Sequence, residues 1–310
     1  MAETFLVTGG AGFIGSHLCE ALRRRGDAVR VLDDLSSGKR TNLPPETELI
    51  IGDVADPDAV LGAMAGVAGC FHLAAIASVS RGVTDWLGTH RANLTGTIAV
   101  FDAARRQPTP VPVVYASSAA VYGACTDLPI VESAEPRPLS AYGADKYGCE
   151  LHGRVASQIH GVPTVGLRFF NVYGPRQDPA SPYSGVISIF CDRISRGEPI
   201  AIHGDGQQTR DFVAVEDVVG ALLAAMALRP ADPQVFNVCT SVPTSVMELA
   251  ETIAGLCRRT LTVQHQPART GDIRHSLGSR NAARAAFGLA DTVPLRVGLA
   301  RTLDWLGLSR

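Results

Sequence analysis

A serine, a tyrosine and a lysine in the middle of the chain have the types and the spacing of a proton-transfer site. Tyr142 and Lys146 lie four residues apart in the segment YGADK, and Ser118 follows an apolar segment upstream. Residues four apart on a helix share one face. A free phenol ionises at about pH 10, and a nearby ammonium favours the phenolate. The three residues therefore predict a tyrosine base, with the serine hydroxyl orienting the substrate oxygen.

The lysine of this pair is unusual for the composition of the chain. Only Lys39 and Lys146 among the 28 cationic residues are lysines, and the rest are arginines. Arginine matches neither the size nor the tunable proton of an ammonium group, so Lys146 fits a chemical requirement. A Tyr-x-x-x-Lys pair alone also arises by chance, and its interpretation depends on a nucleotide site nearby.

A glycine-rich turn near the N-terminus predicts such a site. The segment TGGAGFIGS follows an apolar strand and opens a helix, with Gly9, Gly12, Phe13, Ile14 and Gly15 at its centre. Glycine lets the backbone turn sharply and approach a pyrophosphate, and the free N–H groups of the helix N-terminus then face the phosphates. These residues predict dinucleotide binding.

The end of the second predicted strand indicates which dinucleotide is bound. Asp33 lies about 20 residues beyond the turn, the distance at which an acidic residue accepts hydrogen bonds from the adenosine ribose hydroxyls. The negative charge of Asp33 repels a 2′-phosphate, and Asp34 adds a second negative charge. The sequence therefore favours NAD over NADP. Lys39 and Arg40 are close in sequence and could bind a 2′-phosphate, which is the minority alternative.

Two further strand ends are predicted to contact the cofactor. Asp53 and Val54 follow the third strand, where the carboxylate can reach the adenine amino group or simply form a turn. Leu73, Ala74 and Ala75 follow the fourth strand. Small residues there let a cofactor lie across the strand ends.

The elements that must position these residues alternate between strand and helix. Strands are predicted at 4–8, 28–32, 49–51, 70–73, 111–116 and 164–169, and helices at 16–25, 56–64, 92–105 and 145–159. This alternation predicts an α/β fold, a doubly wound parallel sheet of the Rossmann type with helices on both faces.

The pattern changes after residue 170. A long segment at 173–185 is rich in proline and glycine, and loops of this length are usually functional or disordered. Short strands and helices then alternate at 200–203, 215–228, 235–238 and 245–257. We expect residues 1–171 with about 212–240 to form the dinucleotide domain. Residues from about 172–211, with 241–310, would form a second, smaller α+β domain for the substrate.

The composition excludes several classes of protein. Charged residues make up 19% of the 310 residues and the net charge is -2, so the basic surface of a nucleic-acid-binding protein is absent. The most apolar helical stretch, 218–228, is too short to cross a membrane, and we see no signal peptide. The seven cysteines have neither CxxC nor metal-ligand spacing, which predicts no metal site and a cytoplasmic location.

Nine segments of the chain together resemble a known family. They occur in the family's order between residues 6 and 276, and they read TGGAGFIGSHL, VLDDLSSG, GDVAD, HLAA, ASSAAVYG, YGADK, RFFNVYGPRQ, GDGQQTRDFV and PARTGDIRHS. They resemble the extended short-chain dehydrogenase/reductases of the NAD-dependent epimerase/dehydratase type. Within that family the chain is most similar to the 4-epimerases of UDP-hexoses, UDP-N-acetylhexosamines and UDP-hexuronates.

The resemblance implies a reaction and roles for the three central residues. Tyr142 would take the proton of the sugar 4-hydroxyl while a hydride leaves carbon 4 for a tightly bound NAD, and Ser118 would share that hydroxyl. Lys146 would also bind the nicotinamide ribose. The 4-keto sugar would then rotate and receive the hydride on its other face. Further cofactor contacts are implied for Ser37 and Gly38.

The resemblance also implies a UDP-sugar site. Asn171 and Arg210 match positions that contact the sugar diphosphate, and Arg269 and Asp272 match residues for the diphosphate and the uridine ribose. Guanidinium groups suit a dianionic diphosphate. Ser276 matches a position beside the sugar, where a small residue leaves room for an N-acetyl group.

Departures from the family pattern narrow the reaction. Sugar-nucleotide dehydratases carry an acid and a base where this chain has Ala119 and Ala120, which cannot transfer protons. A net oxidoreductase remains an alternative, whereas a non-catalytic regulator would typically lack the tyrosine or the lysine. Ile76 stands where the family often has a glutamine, and Ala214 stands where an aromatic residue is common. The resemblance finally implies a homodimer through the predicted helices at 92–105 and 145–159.

Overall fold

The structure is a computed structural model that describes residues 2–77, 79–177, 185–268 and 273–308. Its strands are β1 (Thr4–Thr8), β2 (Ala28–Asp33), β3 (Glu48–Ile51), β4 (Gly69–His72), β5 (Val113–Ser118), β6 (Thr164–Phe169), β7 (Asn171–Tyr173), β8 (Ile200–His203), β9 (Thr209–Ala214), β10 (Gln234–Val238), β11 (Pro243–Ser245) and β12 (Val263–Gln266). Within the described ranges, no helix is both long and apolar enough to cross a membrane.

The helices alternate with these strands. They are α1 (Phe13–Arg24), α2 (Pro57–Met64), α3 (Val79–Thr84), α4 (Trp86–His90), α5 (Gly96–Arg105), α6 (Ala141–His160), α7 (Val186–Ser195), α8 (Val215–Leu228), α9 (Val246–Cys257), α10 (Asn281–Phe287) and α11 (Leu295–Trp305). Short 3₁₀ turns cover Arg40–Asn42 and Ala119–Tyr122, and a π turn covers Arg91–Thr95.

Seven strands form one parallel sheet in the order β10-β6-β5-β4-β1-β2-β3. The chain adds strands outward on one side from β1 and then on the other from β4, so the winding direction changes between these two strands. Ligands of such sheets bind beyond the carboxyl ends of the strands at this point. The topology confirms the predicted doubly wound α/β fold.

Apolar helix faces cover both sides of the sheet. On one side Leu18 and Leu22 of α1 pack with Leu222 of α8, and all three side chains are fully buried. On the other side the cluster includes Met64 of α2 and Val100 of α5. Because both faces of the central strands are buried, these strands are largely apolar, which is why the sequence revealed them.

Most predicted elements differ from those in the structure by one to four residues at an end, and three of the differences are explained by the local structure. β5 begins at 113 rather than 111, since proline at 112 has no N–H for a sheet ladder. α6 begins at 141 rather than 145, because the Ser140 hydroxyl accepts a hydrogen bond from the backbone N–H of Gly143 and caps the helix. The predicted helix at 92–105 is the end of a helical run that starts at α4.

A smaller region follows the large sheet. It contains a three-stranded sheet in the order β11-β9-β7 and a parallel pair of β12 and β8. An apolar core joins these strands to α7, α9 and α11. Strands β7, β9, β11 and β12 were not predicted. Three of them, β7, β11 and β12, have only three or four residues and include exposed ones. The first three residues of β9 are polar, so the six residues of this strand do not form a continuous apolar run. The division into two domains stays a prediction.

Candidate active site

The structure brings the predicted serine and tyrosine to the same end of the large sheet. Ser118 is the last residue of β5, and its Oγ accepts a hydrogen bond of 3.1 Å from the N–H of Ala120. Tyr142 lies in the first turn of α6. A Cβ on Gly143 would lie 2.6 Å from the carbonyl oxygen of Ala120, so the glycine allows the two turns to approach closely. The hydroxyl of Ser118 keeps the capacity to donate one hydrogen bond.

The lysine ammonium is buried beside this pair. Lys146 is 2% exposed, and its Nζ donates a hydrogen bond of 2.8 Å to the carbonyl oxygen of Ala116 in β5. The same Nζ lies 5.9 Å from the centre of the Tyr142 ring. A buried cation is costly unless polar groups compensate it. The ammonium therefore lies beside the tyrosine ring, and its effect on the phenol oxygen stays a prediction.

An ion pair that the sequence did not reveal fixes α6 to the sheet one turn after the lysine. Arg168 on β6 donates to both carboxylate oxygens of Glu150, at 2.8 and 2.6 Å, and both residues are less than 8% exposed. Ser117, directly opposite Arg168 in the sheet, donates to the same carboxylate at 2.5 Å. Burial alone would lower the pKa of Arg168, but the hydrogen bonds and charge of Glu150 raise it. This network holds α6 against β6 and against β5, the strand that ends at Ser118.

The glycine turn has the geometry of a pyrophosphate site. Gly9 has a φ of +69°, and a Cβ there would lie 2.7 Å from the backbone nitrogen of Ala74. Gly12 precedes the first residue of α1, so the free N–H groups around Phe13, Ile14 and Gly15 start the helix. These backbone donors fit the phosphates of NAD.

Asp33 closes the turn from the adjacent strand. Its two carboxylate oxygens accept hydrogen bonds of 2.9 Å from the N–H groups of Ala11 and Leu35. Burial raises the pKa of this carboxyl, and the two N–H donors oppose the increase. The backbone of Gly38 runs beside the carboxylate, next to the exposed Ser37. The carboxylate thus lies directly beside the glycine turn, and its contact with the ribose stays a prediction.

Asp34 differs from its neighbour. It is exposed, and its carboxylate accepts hydrogen bonds from the backbone N–H and the hydroxyl of Ser36, at 2.9 and 2.6 Å. Its predicted role at the cofactor stays a prediction.

Asp53 and Val54 lie beyond the end of β3. One Asp53 oxygen accepts a hydrogen bond from the N–H of Ala55 at 2.8 Å, and the other pairs with the guanidinium of Arg91. Desolvation would raise the pKa of this carboxyl, but these donors lower it. Val54 is buried against Gly96. The arginine partner was missed in the sequence because it is distant in the chain.

The segment after β4 crosses the sheet edge close to the glycine turn. The N–H groups of Leu73 and Ala74 donate to the backbone oxygen and to the hydroxyl of Thr8, at 3.1 and 3.3 Å. Ala75 continues this segment and is half-buried. These residues therefore lie beside the glycine turn.

Three of the predicted substrate residues lie on neighbouring segments. Asn171 begins β7 and is exposed, and β7 pairs in parallel with β9, which carries Arg210. Arg210 is half-buried, and its guanidinium donates to the carbonyl oxygen of Thr209 at 2.9 Å. The N–H of Ser276 donates to the same carbonyl oxygen at 3.1 Å. Arg269 and Asp272 lie outside the described residues, so their roles stay predictions.

A buried carboxylate next to Arg210 organises this second group. Asp211 is fully buried and accepts hydrogen bonds from Thr240, Ser241 and Gly278. Burial raises the pKa of the Asp211 carboxyl, and these donors oppose the increase. It joins β9 to the segment that carries Ser276. The sequence showed it only as part of the segment TRDFV.

Replacing Asp33 with asparagine is expected to weaken NAD binding by roughly tenfold to a hundredfold. A hydrogen bond to a charged group contributes about 1.5–3 kcal/mol, and the variant also loses the charge that repels a 2′-phosphate. Titration calorimetry of the cofactor-free protein with NAD and NADP measures both changes. Asp34→Asn is the matched comparison, with a smaller loss expected because its carboxylate is exposed. Equal losses in the two variants would contradict the assignment.

Comparisons with known proteins agree with this geometry. The family model for the NAD dependent epimerase/dehydratase family matches residues 5–239. A UDP-glucose 4-epimerase of Mycolicibacterium smegmatis is 37% identical over 308 residues, which cover 97% of each chain.

Two solved structures are similar over nearly the whole chain. UDP-glucose 4-epimerase from Thermotoga maritima, solved with UDP-glucose, has a TM-score of 0.93 and 34% identity over 98% of both chains. UDP-N-acetylglucosamine 4-epimerase from Methanobrevibacter ruminantium, solved with UDP-N-acetylmuramic acid, has the same three values.

Proposed function

The chain belongs to the NAD-dependent epimerase/dehydratase family, and we propose that it interconverts the carbon-4 epimers of a UDP-sugar with NAD as its cofactor. The observation that carries the proposal is the placement of Ser118, Tyr142 and Lys146. Ser118 ends β5, Tyr142 lies in the first turn of α6, and Lys146 on the same helix donates to the carbonyl oxygen of Ala116 in β5. This arrangement supports the role of Tyr142 as the proton acceptor.

The side chains supply the proton transfer of the reaction. Tyr142 accepts the proton of the 4-hydroxyl, and the buried ammonium of Lys146 stabilises the phenolate before that transfer. Ser118 orients the hydroxyl by its remaining hydrogen-bond capacity. Bound NAD would accept the hydride of carbon 4 and return it to the opposite face of the keto sugar. Tyr142 returns the proton in the second half.

The proton-transfer groups favour epimerisation over dehydration. Elimination of water across carbons 5 and 6 needs an acid and a base beside Ser118. The 3₁₀ turn that follows begins with Ala119 and Ala120, whose methyl groups can neither donate nor accept a proton in the reaction. A net dehydrogenase is the alternative within the family, and a regulator without turnover is disfavoured because the tyrosine and the lysine are both present.

The sugar is a UDP-hexose or a UDP-N-acetylhexosamine in this proposal. Ser276 is small and half-buried beside β9, and a small side chain there leaves room for an N-acetyl group. Asn171 and Arg210 would bind the diphosphate, together with Arg269 and Asp272. UDP-glucuronate is the alternative substrate.

The test is to incubate the purified protein, without added cofactor, with UDP-glucose, UDP-N-acetylglucosamine or UDP-glucuronate. Proton NMR follows the anomeric signals. A new signal of the galacto epimer supports an epimerase with resident NAD, and the relative rates identify the substrate. If the samples stay unchanged but added NAD yields NADH or a stable keto sugar, the epimerase proposal is wrong and a dehydrogenase or dehydratase replaces it.

A homodimer is part of this proposal, and a cytoplasmic location stays a prediction. α5 and α6 pack together and expose apolar side chains on their outer faces. Ile98, Leu151 and Val155 are 39%, 44% and 48% exposed, and the last two are one helical turn apart. A second copy of the same two helices would bury this surface.

The variant Leu151→Glu/Val155→Glu is expected to be monomeric where the unmodified protein sediments as a dimer. Two carboxylates in an apolar interface would be desolvated without partners. Sedimentation velocity measures the change. Leu228→Glu is the matched control, since Leu228 is 38% exposed at the end of α8 and away from this surface. If the unmodified protein is a monomer at micromolar concentration, the proposal of a homodimer is wrong.

A further inference from the structure

The segment that links β4 to the next helices is held at two points by side chains outside the predicted site. The hydroxyl of Thr8 accepts the N–H of Ala74 at 3.3 Å. Two residues on, the side-chain amide of Asn93 accepts the N–H of Ile76 at 2.8 Å and donates to its carbonyl oxygen at 3.3 Å. Asn93 is fully buried. The segment at 73–76 is therefore clamped on both sides.

The helix geometry around Asn93 gives its backbone carbonyl a second use. Asn93 lies in the π turn Arg91–Thr95, where the usual i→i+4 pairing is broken. Its carbonyl oxygen accepts a hydrogen bond from the Thr97 hydroxyl at 2.6 Å and a weaker one from the Cys149 thiol at 3.5 Å. Cys149 belongs to α6, so Asn93 also contacts the catalytic helix.

A buried histidine joins the two clamps. His72 is the last residue of β4 and 2% exposed, and its Nδ1 and Nε2 lie 2.7 and 2.9 Å from the hydroxyl oxygens of Thr8 and Thr97. Burial, helped by the charge of Lys146, lowers the pKa of His72 to about 3, so the ring is neutral. Because Thr97 donates to Asn93, it accepts from Nε2–H. The unprotonated Nδ1 of His72 then accepts a hydrogen bond from the Thr8 hydroxyl, and the oxygen of that hydroxyl accepts the N–H of Ala74.

We propose that Asn93, Thr97 and His72 are positioning residues that hold the 73–76 segment in the conformation required to bind NAD. The backbone of this segment lies against the glycine turn, where a Cβ on Gly9 would be only 2.7 Å from the nitrogen of Ala74. Any shift of the 73–76 segment therefore changes the backbone surface against which NAD would bind beside the glycine turn. The inference rests on the proposed function, because it assigns these residues to the binding of its cofactor.

The test compares two replacements of one buried side chain. Thr97→Val keeps the shape but removes the hydroxyl that links His72 to Asn93, whereas Thr97→Ser keeps the hydroxyl. We expect Thr97→Val to bind NAD about tenfold more weakly, as one unmade buried hydrogen bond implies. Thr97→Ser should restore the affinity. NAD titration of the cofactor-free protein gives the dissociation constant, and steady-state kinetics at saturating NAD separates kcat from KM.

A control on the same helical run distinguishes positioning from general stability. Thr89 is fully buried, and its hydroxyl has no hydrogen-bond partner among the described residues. Thr89→Val is therefore expected to leave the NAD dissociation constant unchanged. If Thr97→Val lowers the melting temperature but binds NAD as tightly as the unmodified protein, the inference is wrong. If the unmodified protein itself neither binds NAD nor turns over a UDP-sugar, the proposed function fails instead.

Discussion

Replacing Tyr142 with phenylalanine is expected to lower kcat by a factor on the order of 10²–10⁴, the usual contribution of a general base. The substitution removes one oxygen from the first turn of α6 and keeps the ring near Lys146. Because the glycine turn and Asp33 are untouched, NAD should remain bound. Proton NMR of the epimerisation gives kcat, and absorbance of the heat-released nucleotide gives the occupancy of NAD.

Tyr147→Phe is the matched control for this experiment. Tyr147 lies on the same helix and is half-buried against the apolar cluster beneath the 3₁₀ turn. The same loss of one oxygen there should leave kcat within a factor of about two, since surface and half-buried changes of this size are usually small. If Tyr142→Phe retained full activity, the proton would have another acceptor and the assignment of Tyr142 would be wrong.

The sequence predicted those parts of the site whose chemistry depends on short spacings. Tyr142 and Lys146 are four residues apart, and Gly9, Gly12 and Gly15 lie within one turn, so a local pattern is enough. The strands of the large sheet were predicted for a similar reason, since two buried faces require continuous apolar runs. Parallel strands then bring their carboxyl ends to one edge, which places Ser118 near the tyrosine.

The supporting contacts could not be predicted, because they join residues distant in the chain. Glu150 and Arg168 meet only after α6 folds back on β6, and each alone is typical of a solvated surface charge. The π turn at Arg91–Thr95 depends on tertiary contacts of Asn93, and no periodic pattern of residues in the sequence predicts such contacts. Short strands such as β7 were missed because three residues give no alternation to read.

The buried pair of Glu150 and Arg168 gives the largest expected change in stability. Arg168→Met is expected to lower the free energy of unfolding by about 3–5 kcal/mol, because it leaves the Glu150 carboxylate buried without its cation. The substitution also removes the hydrogen bond of 2.7 Å that the Tyr122 hydroxyl accepts from the guanidinium, whereas the bond that this hydroxyl donates to Asn237 remains. Urea denaturation at saturating NAD measures the loss, since unequal cofactor occupancy would change the apparent stability.

The companion variants show whether the charge left behind, rather than lost packing, causes the loss. Arg168→Met/Glu150→Gln removes both charges and should recover part of the stability, because no buried charge is left and the glutamine oxygen can still accept the hydrogen bond of Ser117. Arg137→Met is the exposed control: its pair with Glu135 has both side chains more than 70% exposed and should contribute at most about 1 kcal/mol. If the double variant is no more stable than Arg168→Met, packing of the long side chain dominates. If the double variant recovers stability but not the full kcat, the ion pair also positions α6 for the reaction, because Glu150 lies one helical turn beyond Lys146.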